Sequence, residues 1–99
     1  MIMQKGGVFM TTMISNAEMM LLAIFKELQE KEPNFEKGIH NEVGVANEYV
    51  TSAIIELEQE GYINGIIWVK SDVDQNEIPS FNNVAITPSG MIKVIELLK

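Results

Sequence analysis

Cysteine is absent from the 99-residue chain, which excludes disulfides, thiolate nucleophiles and thiolate metal sites together. Arginine is absent too. All seven positive charges are lysines, so the bidentate fork that reads guanine edges and grips phosphate is missing. The single histidine, His40, has no cysteine and no second imidazole to complete a metal or catalytic set, and reads as a loop or partly buried residue. No Gly-x-Ser-x-Gly elbow occurs, nor a Gly-x-Gly-x-x-Gly or Gly-x-x-x-x-Gly-Lys loop, so nucleophilic hydrolysis and phosphate cradling lack their usual supports. No apolar run approaches the roughly 18 residues of a membrane span. The longest, 19–25, lies inside a helical pattern between Glu18 and Lys26. Residues 1–13 hold one Lys, two Gly and no cleavage pattern, which makes a poor secretory signal and leaves the cytoplasm as the expected compartment. They read as a loose arm or a vector-derived segment, with 14–99 as the domain.

What is present is acidic and foldable. Fourteen Asp and Glu against seven Lys give a net charge of −7, and 46% hydrophobic residues suffice for one small core and exceed what a disordered tail carries. The first helix starts at Ser15: Ser15-Asn16-Ala17-Glu18 fits a capping box, with Ile14 and Met19 as its hydrophobic staple. Ala17, Met20, Leu21, Ile24 and Leu28 share one face, and Pro33 limits the helix to about 16–31. Residues 33–46, broken by Pro33, Gly38 and Gly44, leave room for one short helix or a turn. A second long helix is expected over 47–60, with Val50, Ala53, Ile54 and Leu57 inward, Gly61 in the left-handed position after it and Tyr62 folded back on Leu57.

The period then changes. Residues 62–69 are β-branched and aromatic and read as a strand, 71–80 as a long polar turn, and 81–87 as the returning strand. Thr87-Pro88 caps a last helix whose expected buried stripe is Met91, Val94, Ile95 and Leu98. The order helix, short helix or turn, helix, β-hairpin and helix makes the chain α+β and matches a winged helix-turn-helix.

Two local signatures sharpen the match: Leu57-Glu58-Gln59-Glu60-Gly61-Tyr62-Ile63, leaving the second long helix, and Ile86-Thr87-Pro88-Ser89-Gly90, entering the last one. With Gly44-Val45 and Asn64-Gly65, the stretch from Ser15 to Leu98 resembles the YjcQ family of small winged-helix proteins of Gram-positive bacteria and their phages. The resemblance implies that fold and a phage or prophage origin. It implies no catalytic residues.

Candidate chemistry is sparse. Asp72-Val73-Asp74-Gln75-Asn76 begins like a calcium loop, but Glu77 stands where Gly is needed and Asn83 where the bidentate Glu is needed, so it reads as a solvated turn. Glu56 and Glu60, at i and i+4, read as a solvated helix face rather than an acid–base pair. A non-enzyme without cofactor, metal or small-molecule substrate is expected. As a winged helix it would read DNA with the helix at 47–60 and the hairpin, through Asn47, Thr51, Ser52 and Lys70. Charge opposes this: between Lys37 and Lys70 lie Glu42, Glu48, Glu56, Glu58 and Glu60 and no positive residue. A protein partner is therefore expected ahead of DNA, meeting the outward face formed by Glu48, Ser52, Ile55 and Gln59. Met19 and Leu22 lie opposite the core stripe of the first helix and Phe25 at its flank, a surplus apolar face to be covered by the arm or by a second subunit in a homodimer.

Overall fold

Helix α1 spans Asn16–Leu28 and starts as its capping box dictates: the Ser15 hydroxyl accepts the Glu18 N–H at 3.1 Å, and the Glu18 carboxylate accepts the Ser15 N–H at 2.9 Å. The computed structural model describes residues 14–73 and 76–99, so the arm expected over 1–13 lies outside the described residues. Of the expected stripe, Ala17, Met20, Leu21 and Ile24 are buried and Leu28 is half-buried. The helix stops short of residue 31. Gln29 and Glu30 donate to the Lys26 and Glu27 carbonyls, a tightened last turn, and the buried Glu27 carboxylate then accepts the Asn34 N–H at 2.7 Å. Lys37 closes this tie, its Nζ 2.7 Å from Glu27 and 3.5 Å from Glu42.

A 3₁₀ turn, Phe35–Lys37, leads into the short helix α2, Ile39–Glu42. A second 3₁₀ turn, Asn47–Tyr49, opens helix α3, Val50–Gln59, so the expected helix over 47–60 begins with a tighter turn. Its far end is as expected: Tyr62 donates to the Leu57 carbonyl and Gly61 to that of Glu58, the paired bonds of a Schellman cap.

The strands differ from the expected pair. Strand β1, Ile63–Asn64, pairs antiparallel with β4, Ala85–Ile86, while β2, Ile67–Lys70, pairs with β3, Glu77–Ser80, in the register Ile67↔Ser80, Trp68↔Pro79, Val69↔Ile78 and Lys70↔Glu77. The expected strand over 62–69 thus breaks at Gly65. A residue with φ of +85° cannot continue a ladder, and a side chain there would run into the Asn83 carbonyl. The second half of the expected long turn is strand, and the expected return over 81–87 shrinks to Ala85–Ile86 because 81–84 forms a turn closed by Val84 N–H to Phe81 O.

Helix α4, Pro88–Leu98, is capped by Thr87, whose Oγ1 accepts the Gly90 N–H at 3.0 Å. Its phase corrects the expected stripe. Gly90 and Val94 are buried and Leu97 half-buried, whereas Ile95 and Leu98 are exposed. Gly90 decides this: its bare Cα lies so close to the Tyr62 carbonyl and the Ile86 side chain that this face must turn inward. Helix α1 packs on α2, α3 and α4, and the core lies among them, with Met20, Leu21, Ile24, Ile54, Leu57 and Val94 all but inaccessible. Thr87 joins the two motif segments, donating its N–H to the Tyr62 carbonyl and its hydroxyl to that of Gly61. The architecture is α+β, with four helices and small antiparallel strand pairs among the described residues, and no helix there is long and apolar enough to cross a membrane.

Candidate functional site

Helix α3 buries Ala53, Ile54 and Leu57, which turns Ser52, Ile55 and Gln59 to solvent, as its period demands, and Glu48 is exposed in the 3₁₀ turn that precedes it. Ile55 is 40% exposed, so it rests on the domain by part of its surface only. The Ser52 hydroxyl donates to the Tyr49 carbonyl at 3.2 Å, back onto its own helix. Beside this face stands the outer hairpin β2–β3, tied to the helix where the Trp68 indole N–H donates to Glu58 Oε1 at 3.3 Å.

Between hairpin and helix runs a groove. One stretch, about 480 Å³, has Met20 and Ile39 at its floor, Val50 and Thr51 on the α3 side, and Ile78 to Asn82 on the hairpin side. The other, about 580 Å³, continues past Glu48, Glu77, Asn76 and Ser71, and the two share Asn47, Thr51 and Ile78. Phe35 and Phe81 stack with centroids 5.5 Å apart and planes at 25°, forming one end wall.

The groove's charges are one-sided. Glu36, Glu48 and Glu77 line it, and no lysine does among the described residues; His40 is the only other side chain there that can ionise. Of the four residues expected to contact DNA, Asn47 and Thr51 open into the groove while Ser52 points back along α3. Lys70 is exposed at the end of β2, its Cα paired with that of Glu77, so a positive charge expected to meet a phosphate has a negative one opposite it.

The perturbed titrating groups lie away from the groove lining and serve packing. The Asn34 N–H, then Lys37, hold the Glu27 carboxyl below the ordinary carboxylate range, and the reciprocal bond raises Lys37. At the other end of α1 the Ser15 N–H, then Lys93 at 3.1 Å, lower Glu18, and Glu18 raises Lys93. No three His, Cys, Asp or Glu among the described residues could hold a metal ion, and Asp74 and Gln75 of the acidic turn lie outside those residues.

Met19, Leu22 and Phe25 are half-buried and packed against the core of their own chain, so a subunit contact is not required to account for their burial. Residues that the sequence pattern did not single out line the groove instead: Phe35, Ile78, Pro79 and Phe81. Ile78 and Pro79 fell within an expected turn. The segment 77–80 holds one β-branched residue and a proline, a weak strand signal, and the pairing of Ile78 with Val69 is set by the hairpin register. Comparison with family models, with curated proteins and with solved structures finds no match.

Proposed function

We propose that this chain is a non-catalytic winged-helix binding module of the YjcQ-like kind, phage- or prophage-encoded, that acts by binding a protein. The order of helices and hairpin supports the fold reading, α3 serving as the second helix of a helix-turn-helix and β2–β3 as the wing. One observation carries the functional reading: among the described residues the groove between that helix and that wing is lined by Glu36, Glu48 and Glu77 and no lysine, with exposed Ile78 in its wall and exposed Ile55 one turn beyond Thr51. A phosphate backbone approaching this face would meet three carboxylates with only Lys70, paired opposite Glu77, to offset them, which leaves the counterion release that drives DNA binding little to work through. An apolar and basic protein surface would find complementary chemistry.

The second reading, a transcriptional regulator, draws on Asn47 and Thr51, which open into the groove where base edges would enter. Fluorescence anisotropy with random-sequence duplex at about 0.15 M salt separates the two. The protein-binding reading expects a constant no tighter than the non-specific range of ~10⁻⁴–10⁻⁶ M. Submicromolar affinity that falls steeply with salt reverses the order.

A further inference from the structure

We infer that the groove takes an extended segment of a partner protein, apolar at its centre and bearing lysine or arginine on both sides. This rests on the protein-binding reading and names the chemistry of the partner. The shape argues for an extended chain. From Asn76 to Phe81 the groove follows five residue steps of the hairpin arm, roughly 16 Å at about 3.3 Å per residue, which an extended peptide of five or so residues would match.

The lining sets the order of side chains. Val50, Ile78 and the Phe35–Phe81 stack are the apolar middle and inner end, and carboxylates stand at both extremities: Glu36 near the phenylalanines, Glu48 and Glu77 near the outer turn. Lys70 lies opposite Glu77, so Glu36 at one extremity and Glu48 at the other carry the charge complementarity that places cations on both flanks of an apolar centre. Backbone pairing along this edge is interrupted. Ser71 donates to the Asn76 carbonyl, so alternation along the antiparallel ladder puts Pro79 at a position whose nitrogen faces outward, and proline has no N–H to offer an added strand. The Glu77 N–H and the Glu77 and Pro79 carbonyls keep that edge open to part of a ladder, and side chains supply the selectivity.

The test uses the whole chain, ¹⁵N-labelled, titrated with an acetylated and amidated heptapeptide of three leucines flanked by two lysines on each side. Two counterparts carry serines for the leucines or glutamates for the lysines. The expected result is amide shifts confined to Thr51, Ile78, Phe81 and their neighbours, with the serine peptide at least tenfold weaker and the glutamate peptide without effect. Glu48→Lys with Glu77→Lys should weaken the lysine–leucine peptide more than tenfold. Glu60→Lys, an exposed control at the end of the same helix, should leave it within twofold. Shifts spread over the whole acidic surface, equal affinity for the serine peptide, or no groove shifts overturn the inference. The peptide series on the unaltered protein decides between these outcomes even if the double variant does not fold. Weak DNA binding together with an empty groove defeats this inference alone, whereas submicromolar DNA binding defeats the protein-binding reading as well.

Discussion

Replacing Ile55 by lysine changes the charge of the proposed contact face while leaving the buried side of α3 intact. Full burial of an isoleucine side chain stabilises by about 1.5–3 kcal/mol, and Ile55 is 40% exposed, so only part of that is at risk. The lysine stem can lie over the same apolar surface with its ammonium in water, which recovers much of the contact. The expected net cost is below about 1 kcal/mol, less than roughly 8 °C in melting midpoint for a domain of this size. Circular dichroism melting checks the fold, and anisotropy with duplex DNA and with the lysine–leucine peptide checks function. Against DNA the new cation should strengthen binding and steepen the salt dependence by close to one unit of log–log slope, since one more phosphate is neutralised. Ile55 does not itself line the groove but follows Thr51, which does, by one helical turn, so against a basic, apolar partner the new cation should weaken binding through added repulsion at the groove's edge. A loss of the cooperative transition would refute the exposure argument for Ile55. A folded variant whose affinities for both probes stay unchanged would show that this face takes no part.

The phase of α4 predicts unequal costs for neighbouring substitutions: Val94→Ala, at a fully buried site, should cost roughly 2 kcal/mol in urea denaturation, and Ile95→Ala, more than half exposed, within about 0.5 kcal/mol. Gly90→Ala should destabilise by about 1–3 kcal/mol in the same assay despite alanine's better helix propensity, because the new methyl group meets the Tyr62 carbonyl and the Ile86 side chain; a stabilised variant would contradict that packing. Because Glu27 and Glu18 are lowered from 4.5 in the folded protein, their contribution is fully present above about pH 4.5 and lost as pH falls through the lowered values. Melting midpoints should therefore drop on acidification below that point, and Glu27→Gln should flatten the fall without abolishing it, Glu18 supplying the remainder.

What could be read from the sequence was governed by local rules. The capping box at Ser15, the Schellman end at Gly61 and the Thr87-Pro88 start each depend on residues within a few positions of one another, and each has the expected bonds. The expectations that failed depended on distant neighbours. Nothing near Gly90 in the chain announces that it must press on Tyr62 O, yet that approach sets which face of α4 is buried and leaves Ile95 and Leu98 outside. Likewise the break at Gly65 follows from the carbonyl of Asn83, far along the chain, and it moves the outer pairing back to Glu77–Ser80. The outward face of α3 was legible from the helical period alone. The groove was not, since it needs Phe35, Ile78 and Phe81 from three separate segments, one of which looked like turn.

The acids of α3 bear on the proposed partner in a way that folding does not explain. A helix C-terminus carries partial negative charge, so carboxylates in the last turn oppose it, typically by about 0.3–1 kcal/mol each at low salt. Helix α3 has no basic residue in its last turn, and Glu56, Glu58 and Glu60 crowd its end. Glu58 has a structural role in its bond to the Trp68 indole. Glu56 and Glu60 are exposed, and the pocket they line also holds Lys93, but that lysine is already paired with Glu18, so both acids add net repulsion at the helix end. Together with Glu48 they extend one sign of charge along the helix that the DNA-binding reading would present to phosphate, and Glu77 adds to it from the hairpin side of the groove. Charge of this sign raises the cost of the wrong partner as much as it favours a basic one, so the same residues serve affinity and exclusion. The two roles separate on substitution. Glu56→Gln with Glu60→Gln should raise stability slightly and strengthen non-specific DNA binding, while leaving the lysine–leucine peptide within about twofold, since neither residue lines the groove. Equal changes in both affinities would mean that overall charge, and not the groove, selects the partner.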